Sequence, residues 1–285
     1  MKTYLECIPC FLNQALKAMG LCNEDDKVKE NVLKEIIIKL ADIDLNKKPT
    51  EFGKIAYDTI LEITGNDDPY KEIKKRDNDH AISLLPTIKE IIEKSEDRLF
   101  TAIKIAIAGN IMDYAANSNY SLKKTIEKVI ESDFAINDYE KFKRDIKKAK
   151  SILYLADNAG EIVFDKLLVE KIRELNNCKI YFFVRGRPIV NDATKIDAEF
   201  LEMNKLKNVE IREIAAGFPD TREKEFNNFL NQMDIVISKG QGNYESLSEA
   251  NANIYFLLIT KCPVIARDLG VEKGKIIFKL NKQKR

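Results

Sequence analysis

SILYLADNAGEIVFDKLLVEKIREL, residues 151–175, decides the fold class. Ile152 to Ala156 run without a polar interruption, as a strand buried on both faces requires. The polar break Asp157-Asn158-Ala159-Gly160 follows, and Ile162, Val163, Leu167, Leu168 and Ile172 then recur at helical spacing. Downstream the rhythm repeats. Counting Ser151 to Ala156 as the first strand, Lys179 to Val184, Val209 to Ile214, Asp234 to Ser238, Ile254 to Ile259 and Lys275 to Leu280 read as five more. Glu161 to Leu175, Ala193 to Leu206, Arg222 to Gln232 and Tyr244 to Ala250 have helical character between them. Strands alternating with helices predict an α/β class for residues 150–285: a Rossmann-like, mostly parallel sheet covered by helices on both faces.

Upstream, residues 1–149 carry helical signals almost throughout and read as an N-terminal all-helical domain. Val28, Val32, Leu33, Ile36, Ile37 and Leu40 form one apolar stripe; Glu51 to Ile63, Ile82 to Ser95, Arg98 to Ala116 and Ser121 to Ser132 are further helix candidates. The charge runs Lys71 to Asp79 and Lys141 to Lys150 read as solvated helix faces.

A chain of 285 residues can bury a sizeable core without disulfides, and 45% hydrophobic with 33% charged residues is a globular composition. With 47 Lys and Arg against 46 Asp and Glu, there is no general electrostatic case for nucleic acid or an anionic membrane. No run approaches the roughly 20 apolar residues of a membrane span. The opening segment is broken by Glu6, Asn13, Gln14 and Lys17, unlike a signal peptide, so the expected location is the cytoplasm. A single histidine, His80, excludes a multi-histidine zinc site, and any Ser/His/Asp or Cys/His machine would have to run through it. Five scattered cysteines make a disulfide framework unexpected. Cys7 and Cys10 form a CxxC at the start of a helical region, open to three readings: semi-buried thiols, redox control or contact with the active site.

The polar sequences that can do chemistry fall after predicted strands. They are Asp157-Asn158 after the first, Arg185 to Asp192 after the second and Lys239-Gly240-Gln241-Gly242-Asn243 after the fourth. Ligands bind outside the carboxyl ends of α/β strands where strand order reverses. In a 3-2-1-4-5-6 order these three loops converge on one pocket. Asp157, Asn158 and Asp192 offer two carboxylates and an amide oxygen, suited to a hard divalent cation. Manganese or magnesium is the first expectation, cobalt or nickel the second. The competing reading makes Asp157 and Asn158 helix caps, with Glu161 completing a capping box. Gly160, Gly240 and Gly242 permit close approach to a phosphate, and Lys239 adds a positive charge at the rim. Arg185 and Arg187 could clamp another anionic part of a substrate or sit at the surface. Asn110 and Asp113 interrupt an apolar helix and either satisfy an internal hydrogen bond or reach into the crevice.

LADNAGEIVFDKLL (155–168), VRGRPIVNDAT (184–194) and ISKGQGNYESL (237–247), with CIPC (7–10) and AGNIMDYA (108–115), together resemble the damage-control phosphatase family, related to the acidic-residue methyltransferase-like proteins. The similarity covers essentially the whole chain, and the short architecture and KGQGN ending resemble the archaeal and bacterial subfamily rather than the longer eukaryotic forms. It implies a metal-dependent phosphatase of small phosphorylated metabolites, often damaged or surplus ones such as sugar phosphates. It also implies that Asp157, Asn158 and Asp192 bind the metal, that Lys239 contacts phosphate, and that Asn110 and Asp113 match a glycine-asparagine-x-x-aspartate element. Asp157, Asp192 and Lys239 are thus the expected catalytic set, with Gly240, Asn110, Asp113 and Arg185 on the substrate side. An S-adenosylmethionine-dependent carboxyl methyltransferase and a non-catalytic metabolite-binding module are the alternatives.

Overall fold

The structure, a computed structural model, describes residues 1–110 and 122–281. Helices α1 Cys7–Leu21, α2 Asp26–Ala41 and α3 Pro49–Thr64 pack around a cluster that includes Phe11, Met19, Val32, Ile36, Phe52 and Ile60. Local signals set their bounds. The Asp25 carboxylate accepts from Val28 N at 2.8 Å to start α2, and Gly65, at φ 69°, ends α3 in the left-handed conformation.

The chain continues through α4 Lys71–Lys94, α5 Arg98–Gly109, α6 Leu122–Glu131, the two-residue strand β1 Ile136–Asn137 and α7 Tyr139–Ile146. The α/β half follows: β2 Ser151–Leu155, α8 Glu161–Leu175, β3 Lys179–Arg185, α9 Lys195–Phe200, β4 Val209–Ile214, α10 Lys224–Gln232, β5 Ile235–Lys239, α11 Gly240–Leu247, β6 Ile254–Ile259, α12 Pro263–Leu269 and β7 Ile276–Asn281. All six expected strands are present, and the sheet order is β1-β7-β6-β5-β2-β3-β4. The expected reversal therefore falls at β2, flanked by β3 on one side and β5 on the other. Pairing is parallel except between β6 and β7.

Helix α5 is apolar nearly all round and buried along its length, wedged against α4, α6 and α8. Its last residue, Gly109, meets α8 so closely that a Cβ there would lie 2.9 Å from the Phe164 ring and 3.2 Å from Glu161 Cγ. This contact places Asn110 against the start of α8. One apolar cluster takes in Ile103 and Ile107 of α5 together with Ile152, Tyr154, Phe164, Tyr255 and Phe278, so the core runs across residue 150.

The structure corrects four boundaries. Helix α4 begins at Lys71 rather than Ile82, and its charge run is not solvated throughout, because Lys74, Asp77 and Asn78 are buried. The stretch Ala193 to Leu206 yields only α9 and a 3-10 turn at Met203–Lys205. Helix α11 starts at Gly240, directly after β5, instead of Tyr244. Helix α5 ends at Gly109, and Asp113 lies outside the described residues. All five cysteines are free thiols, and His80 is exposed. Among the described residues no helix is long and apolar enough to cross a membrane.

Candidate active site

The loops after β2 and β3 are stitched together by their backbones. Ala193 N donates to Asp157 O at 2.7 Å, Ala159 N donates to Asn191 O at 2.8 Å, and Asn158 and Asp192 form an isolated antiparallel bridge. Asp157, Asn158 and Asp192 are thereby brought to one place, all buried. The third loop closes on them through Gly240. Its φ is 73°, and a Cβ there would sit 1.8 Å from Asp157 Oδ2, so only glycine permits this approach.

Neither Asp157 nor Asn158 caps α8; the N-cap is Gly160, with no side-chain cap. Glu161, the expected capping-box partner, does different work. Its Oε2 accepts from Asn110 Nδ2 and Asn158 Nδ2, both at 3.0 Å, and its Oε1 accepts from Lys239 Nζ. Asn110 Nδ2 and Asn158 Nδ2 also donate to Asp157 Oδ2, at 2.8 and 2.9 Å. The two amide groups are thus oriented by carboxylates, which leaves the Asn158 oxygen as its remaining acceptor.

Lys239 is not at the rim, which corrects the expected position. It is fully buried, and its three donors go to Glu161, to Asp165 Oδ1 at 2.6 Å and to Ala106 O at 2.9 Å. Burial opposes its charge, but Asp165 and Glu161 outweigh burial and hold its pKa above the ordinary lysine value. Burial in turn pushes the Asp165 carboxyl up to about 6 despite Lys239, and Tyr154 donates to it at 2.7 Å.

Arg185 is no surface clamp either. Its Nε donates to Asp192 Oδ2 and its Nη1 to Asn243 Oδ1, while its guanidinium carbon lies over the Phe218 ring, 4.4 Å from the centroid. Nη2, 3.5 Å from Asp157 Oδ1, has no hydrogen-bond partner. Arg187 instead pairs with Asp58 of α3.

The donor chemistry fits a cation. Burial raises the Asp157 carboxyl well above the usual carboxylate range, with the charges of Asp192 and Glu161 adding to it; Arg185 and Lys261 pull the other way. Asn110 Oδ1 and Asn191 Oδ1 are buried without hydrogen-bond partners. Negative charge gathered out of water beside unsatisfied oxygens is what a hard divalent ion relieves. Among the described residues no group of three or more His, Cys, Asp or Glu side chains forms a ready metal cluster. The candidate set is therefore Asp157, Asp192 and the amide of Asn158.

Sequence reasoning missed Glu161 as an orienting group, and with it Asp165, Asn243 and Lys261. Glu161 and Asp165 are the charged members of the otherwise apolar EIVFD, a signal that the helix start is buried and its charges need partners. Asn243 Nδ2 donates to Ala156 O at 3.0 Å and to Lys239 O at 2.8 Å, which knits the β2 and β5 ends together. Lys261, just past β6, is half-buried, and its backbone N–H donates to Gln241 Oε1 at 2.6 Å.

Fold and site together define an α/β protein that gathers Asp157, Asn158 and Asp192 at the switch point of its sheet. The chain belongs to the damage-control phosphatase ARMT1-like domain family, whose profile matches residues 3–277. It is 34% identical over 290 residues to the damage-control phosphatase PH1575 of Pyrococcus horikoshii, covering 100% of both chains. It is 33% identical over 295 residues to a damage-control phosphatase of Archaeoglobus fulgidus, covering 98% of this chain and 99% of that one. The crystal structure of PH1575, described as a DUF89 family protein, superposes with a TM-score of 0.86 at 33% identity, over 99% of this chain and 100% of that one. The relatives are phosphatases, and the methyltransferase alternative is not favoured.

Proposed function

We propose that the chain hydrolyses phosphomonoesters of small damaged or surplus metabolites, with sugar phosphates the first class to test. The observation that carries this reading is the convergence of Asp157, Asn158 and Asp192 where β3, β2 and β5 meet, with burial and the charges of Asp192 and Glu161 opposing ionisation of Asp157 more strongly than Arg185 and Lys261 favour it. Those three residues would hold a divalent cation, manganese or magnesium by donor type. Bound there, such an ion supplies positive charge for the phosphoryl oxygens.

The chain's own residues supply the rest. Glu161 orients the Asn158 and Asn110 amides, and Lys239 neutralises Glu161 and Asp165 from below. Arg185, whose Nη2 lies 3.5 Å from Asp157 Oδ1, and the half-buried Lys261, whose charge acts on Asp157, are the cations we place beside a phosphoryl group. Lys239 has its donors fully used, so we assign it to positioning and Lys261 to phosphate.

Phosphate release from a panel of sugar phosphates and nucleotides, with manganese and after exhaustive chelation, tests the reading. Turnover should need the added ion, and Asp157→Ala or Asp192→Ala should lower it by about 10²–10³-fold or more in a folded protein. Full turnover after chelation, or either variant at the parent's rate in saturating manganese, would refute it.

A further inference from the structure

Asn78 lies in the charged stretch of α4 that sequence reading assigns to solvent, yet it is 3% exposed. Its amide bridges the Gly160 backbone at the start of α8 and the Asp197 carboxylate of α9. Oδ1 accepts from Gly160 N at 2.6 Å, and Nδ2 donates to Asp197 Oδ1 at 2.8 Å. The other Asp197 oxygen accepts from both the backbone N–H and the hydroxyl of Thr194, each at 2.8 Å. Chemistry settles the amide's orientation, because a backbone N–H demands the oxygen and a carboxylate demands the NH2.

The chain of bonds is nearly symmetric about the site. Gly160 lies two positions after Asn158 and Thr194 two positions after Asp192, each separated from its ligand by an alanine. Gly160 is held at φ 74°, ψ −49°, a conformation that a free loop would leave readily. Helix α4 itself packs on α5 and α8, so Asn78 arrives on a rigid element.

We infer that Asn78, acting through Asp197, is a positioning residue that sets the spacing between the Asp157-Asn158 loop and the Asp192 loop, and with it the affinity of the site for its cation. The inference rests on the reading of Asp157, Asn158 and Asp192 as ligands. A buried amide that bonds the Gly160 backbone directly and the Thr194 backbone through Asp197, but touches neither Asp157 nor Asp192, acts by holding backbone in place, and such outer contacts commonly tune metal affinity by about 10–100-fold.

The full chain, stripped with chelator and titrated with manganese alone, gives a direct measure through the electron paramagnetic resonance signal of the free aqueous ion. Asn78→Leu removes both bonds at similar volume. Asp197→Asn, nearly isosteric, cannot accept from Thr194 and Asn78 at once, and it decides the matter if Asn78→Leu does not fold. Each folded variant should bind manganese about 10–100-fold more weakly than the parent, a readout that loss of general stability alone would not move. Folded variants that bind within about twofold of the parent overturn the brace while leaving the ligand reading intact. A parent that binds no manganese overturns the ligand reading and the brace with it.

Discussion

Gly240 shows how a single atom decides whether the site exists. Alanine there would bring a Cβ to 1.8 Å from Asp157 Oδ2 at a φ of 73°, so the carboxylate or the loop must move. Gly240→Ala should fold and lose phosphatase turnover by about 10²-fold or more, as measured at saturating manganese. Lys239 makes the complementary case for charge. It holds two buried carboxylates, Glu161 and Asp165, and a methionine in its place would leave both without their cation. Lys239→Met should cost about 3–5 kcal/mol in a urea titration, since breaking a buried ion pair strands the partner's charge. A stability change within about 0.5 kcal/mol would mean that these carboxylates are compensated elsewhere.

At the scale of elements, the site depends on how closely α5 approaches α8. Gly109 allows it, and an added methyl would meet the Phe164 ring at 2.9 Å and the Glu161 backbone at 3.3 Å. Alanine favours a helix over glycine by about 1 kcal/mol, whereas overpacking a tight contact costs about 1–3 kcal/mol. Gly109→Ala should therefore lower the denaturation midpoint. It should also lower activity, because Asn110 would be pushed off Asp157 and Glu161. A stabilised variant with full turnover would show that the helices part without disturbing the site. The strands were legible at this scale because near-continuous apolar runs between polar breaks have few other uses. Strand β1 was not: two residues, Ile136 and Asn137, carry no period, and only their pairing with Ile277 and Phe278 makes them a strand.

Across the whole molecule, the helix that follows β5 carries a half-buried carboxyl, Glu245, whose charge depends on pH. Burial raises Glu245 to about 7, against an ordinary value of 4.5, and the amino terminus of Met1 pulls it partly back. Its folded pKa lies above its unfolded one, so the folded protein holds the proton more tightly. Its contribution to stability is full below about pH 4.5 and is lost as pH rises through about 7. Glu245→Gln, which mimics the protonated group, should match the parent's melting temperature near pH 4.5 and exceed it at about pH 8. Parallel melting curves across that range would show that Glu245 ionises as freely in the folded chain as in the unfolded one.

What the sequence determined by itself was the order and type of elements, together with the three polar loops at strand ends. Apolar period, glycine position and loop polarity are local properties, and local properties are written in consecutive residues. What only the tertiary structure decided was where each side chain points and what it meets. The pleat sends Lys239 to the same face as Ile235 and Ile237, into the cluster shared by α5 and α8, while Val236 faces the opposite one. A lysine one residue before a glycine loop therefore reads as a rim residue and is instead a buried counter-ion. Asn78 is concealed for a related reason. Its neighbours Arg76 and Asp79 are exposed, as the charge run implies, and only the docking of α4 beside the Gly160 and Thr194 loops turns one amide of that run inward. Contacts of this kind join residues more than eighty positions apart, and no pattern within a single segment encodes them.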